Sequence, residues 1–227
     1  MRLDKFLAHN NFGSRKEVKE IVKQKRVFIN DELVKNSAKI IDLDKDVVFV
    51  DGQEIKYKKD IYYMMNKPKD TISSHDDSLY PSVLSLIDDY RDDLIMVGRL
   101  DADTEGLLLI TNDGQFSHKI AHGKKDVKKV YYVELESPFD QKYIKELEQG
   151  IVLDDGPIKP AFVEVLTDTS LHLTISEGKY HQVKRMMHYC ENEVLYLKRI
   201  QIGPLRLDSQ LDTGQYRSLT QEEIDLF

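Results

Sequence analysis

Cysteine is nearly absent from this 227-residue chain, with Cys190 its single representative. One thiol makes no internal disulfide and supports no cysteine-based zinc cluster, so Cys190 reads as a small apolar residue on a helix. Long apolar runs are missing too. The densest stretch, residues 106–110, falls far short of the ~20 apolar residues a membrane span needs. Met1-Arg2-Leu3-Asp4-Lys5 is not followed by an apolar signal region with a small-residue cleavage site, so a cytoplasmic protein without membrane association is expected. There is no internal repeat and no low-complexity segment. What remains is a globular composition, 41% hydrophobic and 32% charged, in a length that suits one large domain or a small one joined to a medium one.

The net charge of −7 argues against a polyanion partner until its distribution is read. Residues 1–40 hold ten basic and five acidic residues, net +5, which leaves 23 basic and 35 acidic residues, net −12, for the rest. A basic head on an acidic body suggests two units with different work, the head being the candidate for polyanion binding.

Residues 1–58 read as that separate unit. Leu3, Phe6 and Leu7 have helical spacing, and Asn10-Asn11-Phe12-Gly13 breaks the helix. Ser14 followed by Glu17 forms a capping box for a second helix. Val18, Ile21 and Val22 form its apolar stripe, while Arg15, Lys19, Lys23 and Arg26 recur on another face. Taken alone, such a row is equally a solvated face supported by Glu17 and Glu20. Short strands follow, with Asp51-Gly52 as a hairpin turn. The module has little expected core of its own. Beyond a polar linker at Tyr57–Asp60, strands are predicted at 61–65, 94–97, 107–111, 130–136, 161–166, 171–176 and 194–202. Helices are predicted at 115–121, 140–149, 180–190 and 220–226, the last with a capping box of Thr220 and Glu223. Strands outnumber helices without strict alternation. The fold class is therefore α+β, a small helix-plus-strand module (1–58) followed by a larger domain (59–227) with a mixed, largely antiparallel sheet.

Three segments could carry chemistry. Gly98-Arg99-Leu100-Asp101-Ala102-Asp103-Thr104-Glu105-Gly106 is a polar loop between two apolar strands, where reactive groups are commonly held. Asp101 and Asp103 there read as a metal pair, as a nucleophile with a neighbour, or as plain turn-capping residues. Glu177-Gly178-Lys179-Tyr180-His181-Gln182-Val183-Lys184-Arg185-Met186 leads from a strand into a cation-rich helix that suits a phosphate or a carboxylate. Lys129-Val130-Tyr131-Tyr132-Val133 puts Tyr131 on one face of a strand, in a core or under a base. His118 and His122 have the i,i+4 spacing that metals use, but no carboxylate flanks them.

Together these segments resemble the RsuA-type family of RNA pseudouridine synthases. The Gly98–Leu107 stretch resembles that family's catalytic-aspartate motif, Asn66-Lys67-Pro68 its first motif and Glu177–Met186 its third. Residues 1–58 resemble the RNA-binding module that the family shares with a ribosomal protein. The resemblance covers essentially the whole chain, and the wording Tyr180-His181-Gln182-Val183-Lys184 is similar to the small-subunit branch. It implies that Asp101 is the catalytic carboxylate, that Tyr131 stacks on the target base, and that Lys184 pairs with the carboxylate, adjacent Arg185 being the alternative. It further implies that Arg99 fills the gap left by a flipped base or holds a phosphate. Lys67 and Arg185 join the substrate-binding candidates, Lys67 with a structural part near the cleft. In the basic head the RNA-binding candidates are Arg2, Arg15, Lys16, Lys19, Lys23 and Arg26.

The implied reaction isomerises a uridine within RNA. The bond from ribose carbon 1 to the base nitrogen breaks, the base turns, and carbon 5 bonds to the ribose. Nothing is oxidised or hydrolysed, so neither cofactor nor metal is expected. A carboxylate serves as nucleophile or base, and a nearby cation favours its ionised form. The uridine must leave its helix to be worked on. The expected partner is ribosomal RNA, 16S small-subunit RNA or an assembling small subunit, acted on by a monomer. The alternatives are the same chemistry on large-subunit 23S RNA, a non-catalytic rRNA-binding assembly factor, and a metal-dependent phosphodiesterase using Asp101 and Asp103.

Overall fold

The structure is a computed structural model describing residues 1–121 and 126–227. His122 lies outside the described residues. The chain forms two compact units, 1–61 with 87–94, and 62–86 with 95–227.

In the first unit, helices α1 (Leu3–Ala8) and α2 (Arg15–Lys23) pack on an antiparallel sheet. Its strands are β1 (Val27–Ile29), β2 (Glu32–Leu33), β3 (Val48–Val50) and β4 (Gln53–Ile55), in the order β2-β1-β3-β4. The Ser14–Glu17 box is formed: the Ser14 amide donates to Glu17 Oε2 at 2.7 Å, and the Glu17 amide donates back to Ser14 Oγ. At the β3–β4 turn Asp51 and Gly52 both have positive φ, 51° and 79°, matching the twist of a two-residue hairpin. The core is more extensive than the sequence suggests. Leu3, Phe6 and Leu7 of α1 join Val18 and Val22 of α2, Val27, Ile29, Val48 and Val50 of the sheet, and Val34 and Ile41 of the intervening loop.

Residues 87–94 return to this unit, which a single boundary along the chain does not foresee. Buried Arg91 lies 5.2 Å over the Tyr57 ring and donates to the carbonyls of Lys58 and Lys59. The Asp92 carboxylate is met by Lys5 at 3.2 Å, His9 at 3.3 Å and Arg15 at 2.9 Å.

The second unit is built on a nine-stranded sheet. Its strands are β5 (Tyr62–Lys67), β6 (Ile95–Val97), β7 (Glu105–Thr111), β8 (Lys129–Leu135), β11 (Phe162–Thr167), β12 (Ser170–Ile175), β13 (Val194–Ile202), β14 (Leu205–Arg206) and β15 (Tyr216–Ser218). β9 (Val152–Leu153) and β10 (Gly156–Pro157) form a separate hairpin. The order is β11-β12-β8-β13-β7-β5-β15, with β14 beside β13 and β6 beside β7. Every pairing is antiparallel except β13 with β7. Helices α3 (Gly114–Ala121), α4 (Ile144–Gln149), α5 (Gln182–Tyr189) and α6 (Gln221–Ile224) complete the unit. β7 explains the unbroken apolar run: Leu107 to Ile110 are all buried, as in a central strand covered on both faces. The parallel contact explains a glycine of the motif. Gly106 has φ 102°, and a Cβ there would stand 2.2 Å from the Arg199 carbonyl oxygen, so only glycine lets β13 approach β7. Cys190 is buried, and burial pushes its thiol up to about 12, as its apolar reading requires.

Candidate active site

The loop between β6 and β7 is fixed from below by two buried cations. Arg199 of β13 donates from Nε to the Leu107 carbonyl at 2.8 Å and from Nη2 to the Gly98 carbonyl at 2.6 Å, holding both ends. Lys67, at the end of β5, donates to the carbonyls of Thr104 at 2.8 Å, Pro68 at 2.9 Å and Ala102 at 3.3 Å, holding the middle. Above, Ser73 Oγ accepts from the Leu100 amide at 3.1 Å, and the Asp70 amide donates to the Ala102 carbonyl at 2.9 Å. The loop carrying Asp101 is thus tied to two segments distant in sequence, residues 67–73 and Arg199 of β13.

This places Asp101, its side chain 36% exposed, in a cleft of about 690 Å³. Tyr131, Arg99, Lys184, His181 and Tyr180 share its lining, with Leu79 and Tyr80 from the 72–82 segment. Tyr131 is buried on β8, between Leu173 of β12 and Arg199 of β13. Arg99 is exposed and has no ion-pair partner among the described residues.

The sequence-level assignments shift in several places. Lys184 lines the cleft, but its Nζ meets both oxygens of Asp103 at 2.6 Å rather than Asp101. Burial alone would raise the Asp103 carboxyl; the hydrogen bonds and charge of Lys184 outweigh it and hold the group below its usual range. With that ammonium on both oxygens, Asp103 is poorly suited to sharing a metal with Asp101. Arg185 is not in the cleft lining. Successive residues of a helix point about 100° apart, and its guanidinium instead reaches Asp155 in the β9–β10 turn, at 2.8 and 3.2 Å. The side chain that does approach Asp101 is His181, Nε2 lying 3.7 Å from Oδ2. Sequence reasoning quoted His181 within a motif without giving it a role. Lys67 is fully buried and outside the cleft lining, its ammonium holding the carbonyls of Pro68, Ala102 and Thr104. Desolvation pushes its ammonium down to about 8, partly offset by the carboxylates of Asp103 and Asp101. Arg199 was also missed; its signal is a charged residue two positions after Leu197, on the inward side of an apolar strand.

The basic head differs from a simple row as well. α2 ends at Lys23, Lys25 turns to φ 62°, and Arg26 leaves the helix to pair with Asp51 at 2.6 Å. Arg2 pairs with Asp4, Arg15 with Asp92 and Lys23 with Glu20, whereas Lys16 and Lys19 stand exposed without a partner among the described residues. His9, Asp92 and Asp93 offer donor atoms within 4.8 Å of one another, but Lys5 and Arg15 already neutralise Asp92.

The family described as RNA pseudouridylate synthase matches residues 61–189, and the S4 domain matches residues 1–48. The chain belongs to the RNA pseudouridine synthases. As an S4-bearing synthase it binds RNA through its first unit and is an isomerase. It is 45% identical to an uncharacterised RNA pseudouridine synthase of Bacillus subtilis, over 100% of this chain and 98% of that one. It is 41% identical to the ribosomal small subunit pseudouridine synthase A of Haemophilus influenzae, over 99% and 98%. A crystal structure of a pseudouridylate synthase, 40% identical, superposes on the synthase with a TM-score of 0.71 and covers all of both chains.

Proposed function

We propose that this synthase converts a uridine of 16S small-subunit ribosomal RNA to pseudouridine, with Asp101 as the catalytic carboxylate. The observation that carries the reading is the cleft itself: a carboxylate on a loop clamped by Arg199 and Lys67, sharing one cavity with a buried tyrosine and an arginine that has no ion-pair partner among the described residues. A pyrimidine flipped into that cavity stacks on Tyr131, at a cost of a few kcal/mol for leaving its helix. Asp101 acts on the ribose or the base, and the isomerisation balances within the RNA, with no group gained or lost. Arg99 enters the space the base has left or grips a phosphate. The small-subunit target draws support from the name of the Haemophilus influenzae relative and from the Tyr180–Lys184 wording.

The test is a pseudouridine map of total ribosomal RNA from cells lacking the protein, then restored with wild type or Asp101→Asn. The expected result is one small-subunit position that loses its pseudouridine and regains it only with wild type. A position in large-subunit RNA overturns the substrate, and restoration by Asp101→Asn overturns the role of Asp101.

A further inference from the structure

Tyr180 is a large aromatic residue left 75% exposed at the edge of the cleft. Its ring is nevertheless held in place. It lies parallel to the His181 ring, with centroids 3.8 Å apart and planes 16° from coplanar. His181 has left-handed backbone angles, φ 47° and ψ 34°, a conformation uncommon for residues with a Cβ. Buried Gln182 accepts from the Lys179 amide at 2.9 Å and donates to Glu177 Oε1 at 2.9 Å, closing the turn just before α5. One face of the tyrosine ring is covered by imidazole, and the ring's high exposure leaves the other face to solvent. The same imidazole approaches the Asp101 carboxylate, its Nε2 lying 3.7 Å from Oδ2. The imidazole therefore contacts both the carboxylate and the phenol ring, and all three groups line one cleft.

A strand of RNA whose uridine sits at Asp101 must carry its neighbouring nucleotides over that edge. Unstacked bases in RNA are held chiefly by aromatic faces, and any base has a face to offer. We propose that the Tyr180–His181 pair is a stacking platform for the base adjacent to the target uridine, binding it before and during isomerisation. The proposal rests on the RNA synthase reading of the cleft. His181 backs the platform and connects it to the reacting carboxylate, while Tyr180 supplies the open face. A stacking face selects an unstacked neighbour rather than a particular base.

The experiment uses the full chain and a ribosomal RNA fragment centred on the uridine that wild type converts, mapped first in total ribosomal RNA. A map in large-subunit RNA would overturn the small-subunit target and leave this test intact. Single-turnover conversion is measured with the intact fragment and with fragments carrying an abasic nucleotide immediately before or after the target. Tyr180→Ala should raise the protein concentration for half-maximal conversion about tenfold, in the range of one base–aromatic stack, with the maximal rate little changed. Tyr180→Phe should restore it, because the ring remains. On one of the two abasic fragments wild type should weaken to the level of Tyr180→Ala, and the difference between them should vanish. A Tyr180→Ala protein within twofold of wild type on the intact fragment overturns the proposal. So does a penalty that persists on both abasic fragments, which would make Tyr180 a support for the fold alone.

Discussion

Helix α2 in the first unit and the supports of the Asp101 loop in the second use positive charge in opposite ways. In the first, Lys16, Lys19 and Lys23 stand on the surface of α2, and several neighbouring cations pair with nearby carboxylates in solvent. In the second, Arg199 and Lys67 are buried, and their donors go to backbone carbonyls around Asp101. Surface pairs are worth little, with a median of about 0–1 kcal/mol. A buried cation that holds carbonyls leaves several acceptors stranded when it is removed. The helix therefore keeps charge available to a polyanion, and the supports of the loop use charge to fix geometry. Substitutions should separate the two: losses of affinity that depend on salt in the first unit, losses of turnover or stability in the second.

The largest effect belongs to Asp101, the group both cations position. Asp101→Asn keeps the shape and removes the charge and the nucleophilic oxygen. Pseudouridine formation should fall below detection in single-turnover assays while RNA binding stays near wild type. Asp103→Asn should lose far less, and Lys184→Met should add little to it, because each removes the same exposed ion pair. Next comes Arg199→Met, which strands the Gly98 and Leu107 carbonyls. Urea unfolding should show a loss of about 3–5 kcal/mol, far above the removal of any single cation on α2. A loss under about 1 kcal/mol would dissolve the contrast between the units.

Local physics was legible from the sequence. Both capping boxes form, and the seven strands predicted for the second unit start within two residues of where the sequence puts them. The short strands β9, β10, β14 and β15 were not legible, since none of them is an apolar run long enough to stand out from its polar surroundings. The Arg99–Gly106 loop stood out because a charged stretch between two apolar strands is visible in one dimension. Its supports did not, because the donors of Lys67 and Arg199 meet carbonyls 37 and 101 residues away in sequence. The Lys184–Asp103 pair and the return of residues 87–94 escaped for the same reason: each depends on an angle or a distance that only the assembled sheet defines. Within the helix predicted over 180–190, the first two residues lie outside, since the left-handed backbone of His181 is set by the Gln182 clamp and not by helix propensity.

Lys67 allows the buried half of the contrast to be titrated. Its folded pKa, about 8, lies below the unfolded value near 10.5. Between those values the unfolded chain binds the proton and the folded chain does not, so this group makes stability rise with pH across the window. Relative to Lys67→Met, wild type should gain up to about 3 kcal/mol from pH 8 to 10.5, measured by denaturant unfolding at fixed ionic strength. A difference that stays flat, or that shrinks, would mean the ammonium is not desolvated beneath the loop.

Tyr131 lies between the two uses of charge, as a neutral ring in the same cleft. Tyr131→Phe keeps the stacking face and Tyr131→Leu loses it. The Leu variant should convert its RNA about 30-fold more slowly, near 2 kcal/mol and within the range for one base–aromatic stack. Full turnover by the Leu variant would make Tyr131 a core residue.

The smallest effect tests the exposed half. Lys16 and Lys19 have no partner to lose among the described residues, so replacing both with Gln should leave the unfolding midpoint within about 0.5 kcal/mol of wild type. The effect should appear in the salt dependence of RNA binding. Each phosphate contact releases about 0.7–0.9 of a counterion, so the slope of log affinity against log salt should become shallower by about 1.5 for the pair. Arg26→Gln gives the sharper comparison, because Arg26 is already held by Asp51 at 2.6 Å. Its replacement removes a cation whose field is largely neutralised, and the slope should change by less than half as much as for the Lys pair. Equal changes per residue would mean that RNA displaces Asp51 from Arg26, and that the pairing seen in the free protein does not decide which cations the RNA meets.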